Sequence, residues 1–231
     1  MTTLTRRTTL AAGAALALGP ALSLADPKAP APATPAPRAP RPLAFDPKKL
    51  KGLSEKLLVS HWENNYGGAL KNLLKVEDEL TRVTKDTAPF LVAGLRERQL
   101  TFGNSVALHE LYFDNLGGSG RPAGTLEQAL VAEFGSVARW EELFRASAAG
   151  LYGGSGWVVL DASADGALRI HASGHHTQFP VGAAPLLVLD MYEHSYALDY
   201  GAAAAKYVDA FFQNVQWDAV SARLEKTRSA R

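Results

Sequence analysis

The hydrophobic pattern changes its period at a glycine-rich segment, residues 153–156, and this change constrains the fold most. Before it, apolar residues recur every three or four positions, which is typical of helices. A helical pattern returns over residues 196–223. This order of helices, small antiparallel sheet and helix predicts an α+β fold. The sheet is predicted from three short apolar runs that read as strands, at residues 157–161, 168–172 and 186–190.

The helical part divides at Pro89. Upstream, residues 53–83 carry apolar side chains at helical spacing, and Gly67-Gly68 predicts a bend or a close backbone crossing within that helix. Downstream, residues 100–116 show a second helical pattern. Because the connection between them is short, the two helices are predicted to form an antiparallel hairpin. We therefore assign residues 48–120 to an N-terminal helical-hairpin domain.

The rest of the folded chain, residues 121–231, is assigned to a C-terminal α/β domain. Residues 125–149 predict one helix that begins with a capping box from Thr125 to Gln128. Asp165-Gly166 predicts a hairpin turn between the first two strands. The expected product is a three-stranded antiparallel sheet with flanking helices.

Composition excludes several functional classes. The 231 residues carry a formal net charge of +1, and loss of Arg6 and Arg7 with a leader would bring it to −1. A nucleic-acid binder needs a strongly basic face, so this balance argues against one. The chain has no cysteine, which excludes disulfides, iron–sulfur clusters, thiolate zinc sites and cysteine nucleophiles.

Residues 1–25 are predicted to be an export signal. Arg6 and Arg7 precede an apolar run that ends in small residues at Ala25, and the run is too short for a comfortable membrane span. The paired arginines resemble a twin-arginine signal, which exports folded proteins, although Thr9 stands where that motif usually has a large apolar residue. The expected location is the periplasm or the extracellular space. Ordinary secretion or a retained anchor are the alternatives.

Residues 26–47 are predicted to be a Pro/Ala-rich linker. They hold eight of the chain's 13 prolines, which favours a semi-rigid, extended spacer. A passive linker is the favoured interpretation, and a tether that holds the domain away from a membrane or wall is the alternative.

Two histidines lie on apolar faces of the predicted hairpin. His61 lies among Leu57, Leu58 and Trp62, and His109 shares a helix face with apolar residues. A single histidine in such a place is usually a satisfied core residue. Two on paired helices that face one core favour a metal site, because neutral imidazole is a common ligand and a metal accounts for its burial.

The most informative segment runs from Leu187 to Tyr196. An apolar strand ends at Asp190, and His194 follows four residues later, so both side chains are able to point at one atom. The alternative is that Asp190 only caps the following turn.

The segment Asp190-Met-Tyr-Glu-His194 resembles the signature of the iron/manganese superoxide dismutase family, Asp-x-Trp-Glu-His. The resemblance covers about residues 45–225 in order. The other matching segments are Ser60-His61-Trp62, His109-Glu-Leu-Tyr-Phe113, Phe134-Gly135-Ser136, Gly154-Ser155-Gly156-Trp157 and Asn214-Val-Gln-Trp217-Asp218.

The resemblance implies that His61, His109, Asp190 and His194 bind one iron or manganese ion per subunit. Three imidazoles and one carboxylate suit such an ion. It also implies superoxide as the substrate, which reacts at or near a fifth position open to solvent. The products are dioxygen and hydrogen peroxide. Zinc would fit the same ligands, but it cannot change its oxidation state.

The resemblance further implies roles for residues around the metal. Glu193 matches a glutamate that reaches across a homodimer interface to the partner's ligand histidine. His175 matches a residue that hydrogen-bonds solvent on the metal, with His176 as the alternative because the local register is loose. Tyr192 replaces the family's tryptophan. His171 is interpreted as structural.

The first helix departs from the family pattern. Asn65 and Ala69 stand where the family places a histidine and a gateway tyrosine. Tyr66 either reaches the same funnel or simply packs in the hairpin. Ser105 stands where many iron enzymes carry glutamine, which leaves iron and manganese both open. The alternatives to an exported superoxide dismutase are a metal-binding or dimer-scaffold protein without turnover, and a zinc hydrolase.

Overall fold

The computed structural model describes residues 38–229. The predicted export signal and the first part of the predicted linker, up to residue 37, lie outside these residues. Within the described range, no helix is long and apolar enough to cross a membrane.

The predicted helical hairpin is confirmed, with changes in its boundaries. Neither the bend nor the close backbone crossing expected at Gly67-Gly68 is found. Helix α2 runs through both glycines, and a Cβ added at Gly68 would meet nothing within 4 Å. The irregularity is a π-helical segment just before Gly67. The second helix begins at Pro89, where proline suits the first turn, and thus well before residue 100. The elements are α1 (Glu55–Ser60), the π-helical segment (His61–Tyr66), α2 (Gly67–Thr81) and α3 (Pro89–Asp114).

The single helix predicted over residues 125–149 is two helices, α4 (Gly124–Phe134) and α5 (Val137–Ala149). Gly135 separates them with φ of +84°, a left-handed conformation that glycine adopts without strain. Ser136 then caps α5 by accepting from the Arg139 amide. The predicted capping box is also wrong, because α4 begins at Gly124 and its cap, Ala123, has no side-chain bond.

Within residues 38–229, three antiparallel strands form one sheet in the order β2-β1-β3. The predicted turn at Asp165-Gly166 is confirmed, since the Gly166 amide donates to the Ser163 carbonyl at 2.8 Å. Trp157 at the start of β1 pairs with Asp190 at the end of β3, which fixes where the aspartate is delivered. The strands are β1 (Trp157–Ala162), β2 (Leu168–Ser173) and β3 (Ala184–Asp190).

The continuous helix predicted over residues 196–223 is wrong. Gly201, with φ of +53°, ends the first helical turn, and Asn214 ends the next helix. The side-chain amide of Asn214 donates to the Lys51 and Ala210 carbonyls, so it joins the end of this helix to the segment before α1. The elements are a 3-10 turn (Glu193–Ser195), α6 (Ala197–Tyr200), α7 (Ala204–Gln213) and α8 (Trp217–Ser229).

In the described part of the chain, one hydrophobic cluster joins the helical hairpin to the sheet. Tyr112 from α3, Trp157 from β1 and Tyr207 from α7 are fully buried in it. The packing therefore continues across the expected domain boundary at residue 120. It also brings α3, the π-helical segment and the end of β3 against one another.

Candidate metal centre

Three imidazole nitrogens converge on one carboxylate oxygen. The Nε2 atoms of His61, His194 and His109 lie 3.1, 3.2 and 3.5 Å from Asp190 Oδ2. One ligand atom from each of the four residues lies within 4.8 Å of the others. Among the described residues, this is the set whose spacing suits a metal ion.

Each of the four side chains comes from a different element. His61 is the first residue of the π-helical segment, and His109 lies in the last two turns of α3. Asp190 is the last residue of β3, and His194 lies in the 3-10 turn that follows. A π-helical turn inside an α-helix frequently marks a functional position, because it reorients a side chain that the regular helix would aim elsewhere.

The surrounding structure holds the Asp190 carboxylate in place. Its Oδ1 accepts from the Tyr192 amide at 2.8 Å, and its main-chain carbonyl accepts from Ser195 Oγ at 2.9 Å and Tyr207 Oη at 2.7 Å. Burial alone would raise the pKa of Asp190, but the nearby His194 and His61 hold that pKa well below its usual range. The group is therefore an anion when the site forms.

The hydrogen bonding of His109 shows that a cation fits this cluster. Its Nδ1 lies 2.7 Å from the Ser105 carbonyl, which only accepts, so Nδ1 must carry the proton. Burial lowers the pKa of His109 to about 3, so the ring is neutral and Nε2 is an unprotonated lone pair. This buried Nε2 has no hydrogen-bond partner among the described residues, and it faces a carboxylate oxygen. A bound metal ion would satisfy both atoms.

A cavity of about 370 Å³ leads from solvent to this cluster. His109 and His194 line it together with Asn65, Ala69 and Ser105 from the helical hairpin. Apart from histidine, the described residues that line it carry no charged side chain. Ala69 leaves space where a tyrosine would narrow the passage.

His176 lines the cavity and His175 does not, while the hydrogen bond to solvent on a metal that the resemblance implies stays a prediction. His175 is exposed and pairs with Thr177 Oγ1 at 2.9 Å. His176 stacks on Tyr192 at 4.9 Å between ring centroids, and its Nδ1 accepts from Trp157 Nε1 at 3.0 Å. The acceptor role of Nδ1 leaves the proton of the neutral ring on Nε2. Burial lowers the pKa of His176 and favours that neutral form.

Tyr66 does not take the place of a gateway tyrosine. It is 1% exposed, and its hydroxyl accepts from the Arg41 amide at 2.8 Å and donates to Glu110 Oε1 at 3.0 Å. Burial also raises the pKa of the Tyr66 hydroxyl. Tyr66 therefore packs inside the hairpin, and Asn65 and Ala69 line the cavity.

Of the remaining predicted residues, Tyr192 contacts the cluster, while Glu193 and His171 do not belong to it. Tyr192 stacks on His194 at 5.4 Å between ring centroids, and burial together with the Asp190 charge raises the pKa of Tyr192 to about 12. Glu193 is exposed. His171 pairs with the buried carboxylate of Asp161 on the sheet, away from the cluster.

Sequence reasoning missed the residues that fix His176. Asn104 on α3 donates to the His176 carbonyl at 2.8 Å, and Trp157 fixes its ring. The sequence places Trp157 at the start of a predicted strand and in a matching segment, but it does not predict the contact with His176. A signal was present, since a tryptophan that begins a buried strand needs a partner for its indole N–H.

Comparison with known proteins supports this geometry. Residues 122–223 match the model of the C-terminal domain of iron/manganese superoxide dismutases. A superoxide dismutase [Fe] from Cupriavidus metallidurans is 49% identical over 183 residues, which cover 78% of this chain and 93% of that protein. The chain belongs to the iron/manganese superoxide dismutase family.

Further members of the iron/manganese superoxide dismutase family are more distant. A superoxide dismutase [Fe] from Aquifex aeolicus is 31% identical over 80% of this chain and 90% of its own length. A superoxide dismutase [Mn] 2 from Haloferax volcanii is 32% identical over 75% of this chain and 88% of its own length. The names of these relatives thus include both iron and manganese.

Proposed function

We propose that this chain dismutes superoxide to dioxygen and hydrogen peroxide at a single iron or manganese ion. The observation that carries the proposal is the unprotonated, unpartnered Nε2 of His109 facing the Asp190 carboxylate, with His61 and His194 beside them. We assign these four residues as the metal ligands. Iron or manganese would supply the one-electron couple that dismutation requires.

Other residues of the chain prepare the site for this reaction. The buried Asp190 carboxylate is held by the Tyr192 amide, so its orientation is set before any ion binds. His176 carries a proton on Nε2 at the cavity wall, where it can donate a hydrogen bond toward the cluster. Dismutation consumes two protons, and the uncharged, open cavity admits both water and a small anion.

Metal analysis and superoxide decay test the proposal. The full chain, purified from a source grown with both iron and manganese, should contain about one of these ions per subunit and accelerate superoxide decay in stopped flow. The metal-free protein is the control. Bound iron or manganese without turnover would instead support the metal-binding scaffold, and stoichiometric zinc without superoxide removal would support the hydrolase.

Replacing Trp157 with phenylalanine should lower the rate per bound metal about tenfold, because the bond that fixes the His176 tautomer is lost. The measurement is kcat/KM for superoxide, normalised to metal content. Trp217→Phe is the matched control, since its indole N–H donates to the Gly120 carbonyl away from the cavity. Equal rates in the two variants would show that the Trp157–His176 bond does not affect turnover, and the role proposed for His176 would be wrong.

A homodimer is also proposed. Glu193 is exposed directly beside His194, so a second subunit is able to reach it. Sedimentation of the metal-loaded chain should give twice the mass of one subunit, and Glu193→Gln should weaken the association. A monomer at micromolar concentration would contradict this proposal.

Export in the folded state is proposed from Arg6 and Arg7 and the apolar run after them. Replacing both arginines with lysine should leave the protein in the cytoplasmic fraction. Unchanged export would point to ordinary secretion instead.

A further inference from the structure

A short segment before the first helix contacts both helical elements that carry ligand histidines. We call residues 40–45 the strap. Arg41 lies between Pro40 and Pro42, and because proline has no backbone N–H, Arg41 supplies the one amide donor of these three residues. The residue before a proline also favours an extended backbone. Among residues 40–42, the Arg41 N–H is therefore the only backbone donor, and it lies in a conformationally restricted stretch.

The Arg41 amide forms a hydrogen bond with the π-helical segment. The Arg41 N–H donates to Tyr66 Oη at 2.8 Å, and the Arg41 carbonyl accepts from Trp62 Nε1 at 2.8 Å. Trp62 directly follows His61 in the sequence. Two backbone bonds thus connect the strap to the turn that presents the first ligand.

The Arg41 side chain reaches the other helix. Its Nε lies 3.3 Å from Glu110 Oε2, while Tyr66 Oη donates to Glu110 Oε1 at 3.0 Å. Glu110 directly follows His109, and its side chain is 17% exposed whereas that of Arg41 is 65% exposed, so the carboxylate is the shielded partner of this ion pair. The carboxylate of Glu110 therefore joins the strap, the π-helical segment and α3.

The far end of the strap is also fixed. Phe45 packs against the backbone of Gly117, where an added Cβ would come within 2.6 Å of the Phe45 side chain. Gly117 has φ of +95°, so only glycine suits that position without strain. The strap is thus held at Arg41 and at Phe45, although the sequence predicted a passive linker there.

We propose that Arg41 is a positioning residue which, through Tyr66 and Glu110, holds the His61 and His109 elements at the spacing that retains the metal. This inference rests on the proposed metal site. It assigns a function in metal retention to a segment that precedes the helical hairpin, outside the four ligands and the cavity.

The test measures how fast a chelator removes iron or manganese from the loaded full chain. Arg41→Pro removes the amide donor and the cation, and Tyr66→Phe removes the shared hydroxyl. Each should release metal about tenfold faster than the unaltered chain, as expected when residues that orient ligands are lost. Arg41→Lys, which keeps the amide and a cation, should restore most of the retention.

Two controls separate positioning from general stability. Lys49→Ala removes an exposed cation that pairs with Asp46 in the adjoining turn, and it should not change release. Leu126→Ala opens a cavity in α4, away from the site, and it should lower the unfolding temperature without faster release while the protein is folded.

Release at the unaltered rate from Arg41→Pro and Tyr66→Phe would overturn the strap proposal, and so would equally fast release from Leu126→Ala. Both of these outcomes concern variants only, so the proposed function stands as long as the unaltered chain binds metal and removes superoxide. If the unaltered chain binds neither iron nor manganese, the proposed function fails and the strap proposal fails with it.

Discussion

Replacing His109 with alanine should reduce superoxide removal by at least about 100-fold and leave the purified protein with little iron or manganese. The substitution removes the one cluster nitrogen whose lone pair must face the carboxylate, since its Nδ1 proton is committed to the Ser105 carbonyl. It also leaves Asp190 with two of its three imidazole neighbours. The measurements are metal content and stopped-flow superoxide decay on the same sample.

Glu97→Ala is the matched control, because Glu97 lies exposed on the same helix. This variant should keep full metal content and activity. A His109→Ala protein that is folded and binds metal, and that still removes superoxide at the normal rate, would refute the ligand assignment.

Replacing Gly156 with alanine should lower the free energy of unfolding by about 3 kcal/mol and reduce metal content as well. An added Cβ would stand 2.2 Å from the Ser173 carbonyl oxygen of the neighbouring strand. The Gly156 carbonyl accepts from the Met191 amide at 2.8 Å, directly after Asp190. A displacement of the Gly156 backbone is therefore expected to displace Met191 and, with it, the Asp190 carboxylate.

Gly154→Ala is the control for this substitution. An added Cβ there meets only the Leu151 carbonyl, at an ordinary 3.5 Å. Denaturant unfolding of both variants gives the two free energies. A Gly156→Ala protein as stable as Gly154→Ala would show that the β1–β2 spacing adjusts freely.

The sequence predicted the metal cluster well because its signals are local and specific. Apolar periodicity placed His61 and His109 on facing helices, and the strand that ends at Asp190 placed His194 four residues later. The resemblance to a known family then joined these distant segments. The structure brings all four together as the resemblance implied.

The sequence was least informative where tertiary contacts decide. His175 and His176 are adjacent in a loop, and the contacts of His176 with Trp157 and Asn104 distinguish them. Tyr66 shares a helical region with Ala69, but Arg41 and Glu110 determine where its hydroxyl points. Helix breaks such as Gly135 were missed because apolar periodicity continues across them. Partners far away in sequence leave no local pattern.

The cluster is assembled from residues that are far apart in the chain, with His61 and Asp190 separated by 129 positions. During synthesis, His61 and His109 leave the ribosome long before β3 is made. A nascent chain that ends before β3 therefore contains only two of the four side chains assigned as ligands. On the proposed ligand assignment, we expect the metal to be captured after translation of residue 194, when all four side chains are present.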